Sequence, residues 1–203
     1  GAFVGEWVSS QKEAASAFVK GGIRKAANDT IWWGHIDDDI GYVNIYSLTG
    51  FVQDATWSNR PQQLAIVDDA FEEMLVAFRD KRALLLDLTH NQGGFDGASD
   101  LVASRIADRA RDVLTILPFR TPTSKAEVVT VVPSERTRFT KPVFVLTSEV
   151  TVSAGEGLVM MLRAFPHVTH IGQRTRGYVS GILNKPLPAS LASEEGLIEI
   201  GAV

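Results

Sequence analysis

The residues best suited to chemistry lie in "TVSAGEG", 151–157, between the apolar run "PVFVLTSEV" and "LVMMLRAF". Ser153 stands where a strand pattern gives way to a helix pattern, and two physical readings of it are open. In the first, Ser153 is the N-cap of the helix and Glu156, three residues on, completes a capping box. In the second, Ser153 is a nucleophile. A serine at a helix N-terminus after a buried strand has its hydroxyl at the mouth of the sheet, with backbone N–H groups beside it. Gly93 and Gly94 bear on the choice, because they follow another apolar run, "ALLLDL". Paired glycines there let the backbone turn sharply and leave its N–H groups uncovered. Taken alone, the pair is a tight turn. Opposite Ser153, the turn and the N–H of Ala154 would supply the two donors that acyl transfer needs at a developing oxyanion.

A serine nucleophile also needs a base. The chain has four histidines, His35, His90, His167 and His170. His35, in "WWGHIDDD", reads as a surface residue of a short loop before the first strand, and His90 flanks the glycine turn. His167 and His170 are three apart in a strand pattern, so they point to opposite faces and form no metal pair. Asp37, Asp38 and Asp39 lack the alternating spacing of a calcium loop and read as a solvated turn. Trp32 and Trp33 read as core. Asp87, at the end of the strand before the glycines, reads as the acid that holds the turn through backbone N–H groups. No metal or organic cofactor is expected.

The elements that must position these residues follow from hydropathy period and punctuation. "SSQKEAASAFVKGG" predicts a short helix closed by Gly21 and Gly22, and "IGYVNIYSL" (40–48) alternates as a strand does. Residues 61–81 predict the clearest helix, with Leu64, Val67, Phe71, Leu75 and Phe78 on one stripe and Pro61 in its first turn. "RALLLDL" (82–88) predicts a buried parallel strand, followed by the glycine turn and the helical "ASDLVASRIADRA". "VLTILPFR" is a strand and "TPTSKAEVVTVVPSERTRFT" an exposed, hairpin-like excursion. "KPVFVLTS" is another buried strand, leading to a helix from Ser153 to Phe165 and then to the short strand "HVTHIG" and the loop "QRTRGYVSG". The end, "ILNKPLPASLASEEGLIEIGAV", predicts two short strands. This order implies an α/β layer built from right-handed crossovers, with "ALLLDL" and "PVFVLTS" as neighbouring central strands covered on both faces. Ligands in such sheets gather at the carboxyl ends of the strands, where "THNQGG" and "TSEVTVSAGE" lie. The expected division is an N-terminal helical or linker segment over 1–30 and an α/β core domain over 31–203.

Bulk properties narrow the function classes. The chain has 203 residues, 45% hydrophobic and 22% charged, which suits one domain with a sizeable core. A net charge of −4 gives no electrostatic reason to expect nucleic acid. The absence of cysteine excludes disulfide and thiolate chemistry and leaves the compartment open. No apolar run approaches the roughly 18 residues of a membrane-spanning helix. The start shows no signal-peptide pattern and no initiator methionine, and reads as a mature form or an excised fragment.

"IGYVNIYSLTGF", "ALLLDLTHNQGG", "PVFVLTSEVTVSAGEGLVMML" and "IGQRTRGYVSGILNKPLP" follow one another in the order and style of the S41 peptidases. The chain resembles that family, which includes the tail-specific proteases and the tricorn core protease, over about residues 30–195. The resemblance implies a ClpP/crotonase-like spiral of ββα units with a mostly parallel central sheet. It also implies a serine nucleophile in a Ser-Ala-x-Glu motif, here Ser153-Ala154-Gly155-Glu156, with oxyanion donors from Gly93, Gly94 and Ala154. One branch of the family pairs serine with a lysine in a "T-x-G-K-G" loop. The matching stretch here is "TRGYVSG", with Tyr178 where lysine would stand, and Lys185 lies outside that motif.

The chain therefore resembles the tricorn-like branch, in which a histidine and a glutamate assist the serine. "LASEEG" is the nearest match to the glutamate segment of that branch, so Glu194 is the candidate and Glu195 the second. None of the four histidines stands at the position of that branch's base, so the base is expected outside this chain. The implied substrate is a peptide or an unfolded protein end, added as a strand at a sheet edge, and a homo-oligomer is left open. A cell-envelope or secreted location is what the resemblance favours. The alternative is an inactive relative that binds a hydrophobic ligand or a peptide, as in the similarly folded interphotoreceptor retinoid-binding protein. A lipid binder has no chemical need for the Ser-Ala-Gly-Glu motif or the glycine turn.

Overall fold

The computed structural model describes residue 10, residues 13–116 and residues 126–178. Eight strands are described: β1 (Lys20–Ala26), β2 (Ile31–His35), β3 (Ile40–Ile45), β4 (Ala83–Asp87), β5 (Arg111–Ile116), β6 (Glu127–Val131), β7 (Val143–Thr147) and β8 (Val168–Gly172). Three helices join them: α1 (Arg60–Ala77), α2 (Asp96–Ile106) and α3 (Ala154–Leu162). Six strands form one sheet in the order β1-β2-β3-β4-β7-β8, and β5 pairs with β6 in a separate antiparallel ribbon. The pairings β3–β4, β4–β7 and β7–β8 are parallel, whereas β1–β2 and β2–β3 are antiparallel. This is a mixed α/β fold with a mostly parallel central sheet. Each parallel step needs a crossover, and α1, α2 and α3 supply the three.

The two most apolar strands are the central pair, as their composition requires. Leu84 and Leu86 of β4 and Val143 and Val145 of β7 are at most 1% exposed and lie in the main core. That core sits between one face of the sheet and the helices, with Val67, Phe71, Met74 and Leu75 from α1 and Val102 and Ile106 from α2. The other face is also covered. Tyr42 of β3, with Leu85 of β4 against it, packs on Ala15 and Val19 at the helical residues 13–18 and just after them. Alternation along β3 and β4 thus sends neighbouring residues to two different cores.

Two boundaries differ from the sequence reading. Gly21 and Gly22 do not close a helix. They lie in β1 at φ +74° and +87°, and because β1 hydrogen-bonds to β2, the sheet begins before residue 31. His35 is the last residue of β2 instead of a loop residue, and it is half-buried with its ring edge-on to Phe78. At the first turn of α1, Leu64 packs partly buried against the main core as expected, and Gln63 beside it is fully buried as well. Gln63 is tolerated there because its amide is fully used. Oε1 accepts the N–H of Phe51, while Nε2 donates to the carbonyl of Thr56 and to Asn59 Oδ1. The two strands expected in the C-terminal stretch lie outside the described residues.

Candidate functional site

The loops that follow β3, β4, β7 and β8 all leave the sheet at its carboxyl end and are stitched together there. After β3, Leu48 bridges Gly94: the Leu48 N–H donates to the Gly93 carbonyl at 2.8 Å, and the Phe95 N–H to the Leu48 carbonyl at 2.9 Å. A Cβ on Gly94 would stand 2.3 Å from the Leu48 carbonyl carbon, so only glycine permits this approach. After β4, Asp87 closes the turn as its position suggested. Its Oδ1 accepts the Thr89 N–H at 2.9 Å and the Thr89 hydroxyl at 2.7 Å, while Oδ2 accepts the Tyr42 hydroxyl at 2.8 Å. Burial and the Asp87 carboxylate raise the Tyr42 phenol well above its ordinary range, so Tyr42 stays a neutral donor.

The glycine turn and the serine loop are in contact. A Cβ built on Gly93, which has φ +75°, would lie 2.7 Å from Ser153 Cβ and 3.2 Å from the Ala154 nitrogen. Asn91, fully buried, joins the two loops to β3. Its Nδ2 donates to the Ile45 carbonyl at 2.8 Å, its Oδ1 accepts the Gly93 N–H at 2.9 Å, and its carbonyl accepts the Val152 N–H at 3.1 Å. Thr151 Oγ1 adds a bond to the Leu88 carbonyl at 2.7 Å. The Gly93 N–H is therefore taken by Asn91, whereas the N–H groups of Gly94 and Ala154 have no hydrogen-bond acceptor among the described residues. Sequence reasoning missed Asn91. The only signal was an amide side chain two residues before a glycine pair, a common turn pattern.

Ser153 itself is exposed and has φ +57° and ψ −127°, a backbone state that a non-glycine residue holds only when its surroundings enforce it. In α/β-hydrolases a strained strand-to-helix turn lifts a serine hydroxyl clear of the sheet. Ser153 and Glu156 form a capping box at the start of α3, with the Ser153 N–H donating to the Glu156 carboxylate at 3.0 Å and the Glu156 N–H donating to the Ser153 carbonyl at 2.8 Å. Cap and exposed serine, posed as rivals by the sequence, coexist in one residue.

Glu156 does more than cap. Only 1% exposed, its carboxylate accepts three backbone N–H groups: Ser153 at 3.0 Å, Gly177 at 2.6 Å and Tyr178 at 2.9 Å. It thus ties the Ser153 turn to the loop after β8. That loop is held further by the Arg176 N–H on the Thr151 carbonyl and the Gln173 N–H on the Thr147 carbonyl, each at 3.0 Å. Tyr178 is 54% exposed.

Of the histidines, only His90 lies at the carboxyl end of the sheet. Its Nδ1 is 3.0 Å from Thr89 Oγ1, and burial lowers its pKa although the Asp87 carboxylate pulls the other way. His35 pairs with Gly41 at the amino end of β3. His167 precedes β8, its Nε2 3.0 Å from the Ile106 carbonyl oxygen, and His170 lies within β8. Glu194, Glu195 and Lys185 lie outside the described residues. Among the described residues no group of three or more acidic or histidine side chains converges as a metal site, and no helix is long and apolar enough to cross a membrane.

Comparison with known proteins bears on this arrangement. No curated protein matches the chain significantly. Among solved structures it is similar to a putative peptidase from Parabacteroides merdae ATCC 43184, at TM-score 0.70 and 25% identity over 87% of this chain and 53% of that one. It is also similar in fold to mature CPAF complexed with lactacystin, at TM-score 0.61 and 14% identity over 84% of this chain and 46% of that one. A third is a putative S41 protease from Bacteroides fragilis NCTC 9343, at TM-score 0.52 and 21% identity over 74% of this chain and 39% of that one. The chain thus spans about half, or less, of the length of these structures. The family profile described as "Peptidase family S41" matches residues 39–197, from the turn before β3 to beyond the described residues. The chain belongs to peptidase family S41.

Proposed function

We propose that this chain carries the nucleophile and oxyanion donors of a serine peptidase acting on peptides or unfolded protein ends. Ser153 attacks the peptide carbonyl as a base takes its hydroxyl proton; the base returns that proton to the leaving amine as the scissile C–N bond breaks, and water then hydrolyses the acyl-enzyme, releasing the acid and the Ser153 hydroxyl. The N–H of Ala154, at the first turn of α3, is one oxyanion donor, and the helix N-terminus adds a favourable field for the negative charge. The second donor comes from the Gly93–Gly94 turn. Gly94 offers an uncommitted N–H, and Gly93 can donate after its bond to Asn91 is exchanged for one to the oxyanion.

The finer assignment is the tricorn-like branch, supported by Tyr178 standing where the serine–lysine branch carries its base. The base is then a histidine outside residues 1–203, with Glu194 as the supporting carboxylate. The observation that carries the reading is the contact of Gly93 with Ser153 and Ala154 around an exposed hydroxyl held at φ +57°. Fluorophosphonate labelling of the natural full-length protein, read by intact mass, tests it. One adduct per chain is expected, lost in Ser153→Ala. Absence of an adduct, or an adduct that survives the substitution, would favour a catalytically inactive binding module.

A further inference from the structure

Beside the serine loop lies an open cleft of about 490 Å³ lined by Glu149, Gln173, Arg174, Thr175 and Arg176. We propose that it is a subsite for a carboxylate of the peptide substrate, with Arg174 and Arg176 as its cationic wall. The proposal rests on the peptidase reading of Ser153 and adds to it a feature of the substrate.

The cleft is fixed relative to the nucleophile by backbone bonds on two sides. Glu149 sits in the turn between β7 and Ser153. The opposite wall, 173–176, is bonded to that turn through the Gln173 N–H on the Thr147 carbonyl, the Thr147 hydroxyl on the Gln173 carbonyl at 2.8 Å, and the Arg176 N–H on the Thr151 carbonyl. Glu156 then clamps the next two N–H groups to the Ser153 turn. A chain lying across Ser153 therefore passes the cleft within a few residues of its scissile bond.

The charges have no partner among the described residues. Arg174 and Arg176 are both exposed, and neither makes an ion pair or a side-chain hydrogen bond with a described residue. The buried guanidinium of Arg105, by contrast, is bonded to two carboxylates. Two arginines alternate along one short segment, facing a single carboxylate, Glu149, in a chain whose net charge is −4. Guanidinium groups are suited to bidentate recognition of a planar carboxylate, and the cleft volume fits a side chain or a chain end. An acidic side chain and a free C-terminus offer the same group.

The test uses the natural full-length protein with Ser153→Ala, so that peptides bind without being cleaved, and fluorescence anisotropy of labelled peptides. One peptide set moves a single Glu, or Gln in its place, through the positions flanking the scissile bond. A second compares free and amidated C-termini. At low salt, binding about tenfold tighter is expected for the peptide carrying the carboxylate at the right position, the factor that one good charged contact supplies. Arg174→Gln with Arg176→Gln should abolish that preference and leave neutral peptides bound as before, while Glu149→Gln should widen it. Loss of the preference on Glu→Gln in the peptide identifies a side-chain carboxylate, and loss on amidation identifies a chain end. A preference that survives the double substitution, or that never appears, overturns the proposal. Fluorophosphonate labelling of the double variant with Ser153 intact keeps the two readings apart: labelling without carboxylate preference refutes the subsite alone, and no labelling of any form refutes both.

Discussion

Arg105 and Glu156 are the most deeply buried charged side chains of the described residues, at 0% and 1% exposed, and they are neutralised in opposite ways. Arg105, on α2, meets charge with charge. Its Nε and Nη2 donate to Asp68 Oδ1 at 2.9 and 2.5 Å, its Nη1 donates to Glu72 Oε2 at 2.7 Å, and two carbonyls take further bonds. Arg136 extends the cluster to Asp68 and Asp69. Glu156 has no cation within ion-pair distance among the described residues, and its partners are the three N–H groups of Ser153, Gly177 and Tyr178. The Arg105 cluster ties α2 to α1 and to residues 136–137 through charged side chains. Glu156 instead joins backbone to backbone, at a residue of positive φ and in a loop without regular structure. The first arrangement supports the scaffold; the second holds the site in shape.

The comparison breaks most visibly at Arg105. Arg105→Ala leaves a cavity and takes the buried cation from Asp68 and Glu72, which keep Arg136 as a partner and, at 28% and 30% exposed, can recover part of their hydration. Removing one partner of a buried ion cluster costs about 3–5 kcal/mol, and the partial exposure puts this case near the lower figure. Urea unfolding should show that loss, while the fluorophosphonate rate of the remaining folded protein stays within about twofold, a margin worth only ~0.4 kcal/mol of barrier. A rate that collapses with stability would show that the scaffold and the site are not separable.

Glu156→Gln should give the reverse signature. The amide fits the same space but offers one acceptor oxygen where the carboxylate offered two, and its NH₂ faces an N–H donor. A buried donor left unpaired costs roughly 1–3 kcal/mol, less than the Arg105 substitution. The loss falls on the Ser153 turn and the 177–178 loop, so labelling at Ser153 should slow by at least about tenfold, equivalent to ~1.4 kcal/mol in the barrier. If the urea midpoint falls and the labelling rate does not, Glu156 is an ordinary cap.

How much of this was legible follows the same division. Apolar runs fix β4 and β7 as the central strands, because five consecutive residues such as Ala83–Asp87 with so few polar groups are stable only when both faces are covered. The two loops of the site follow from that topology, since parallel neighbours deliver their connections at the same end. Strand β1 was missed because Lys20–Ala26, "KGGIRKA", is largely exposed and carries no hydropathy period, its place being set by pairing with β2. Ser153 and the glycines could be found from residue type and order. The second half of Glu156's work could not, because Gly177 and Tyr178 lie 21 and 22 residues away and contribute only N–H groups, which every residue but proline has. Arg174 and Arg176 were equally silent, since an arginine in a loop reads as solvated until its neighbours are known.

The smallest expected effect is on pH dependence, and it belongs to the Arg105 cluster. Glu72 accepts the Thr137 hydroxyl at 2.6 Å, the Arg105 Nη1–H at 2.7 Å and the Thr137 N–H at 3.1 Å, and these bonds, the Thr137 hydroxyl first, lower its pKa from 4.5 to about 2. A carboxylate depressed in the folded state contributes stability that is fully present above its unfolded pKa and is lost as pH falls through the folded one. For Glu72 that window runs from about pH 4.5 down to about pH 2. Within it the unfolded chain binds a proton that the folded chain refuses, so unfolding becomes progressively easier. Glu72→Gln removes the titrating group, and its free energy of unfolding should fall less steeply than wild type across that window. The side chain is 30% exposed, so solvent screening keeps the difference below about 1 kcal/mol at pH 3. Urea unfolding at pH 7, 4 and 3 would show it as converging stabilities, with the variant the weaker at pH 7. Parallel curves would mean that the acid response comes from other carboxylates and that Glu72 is held by packing, not by its charge.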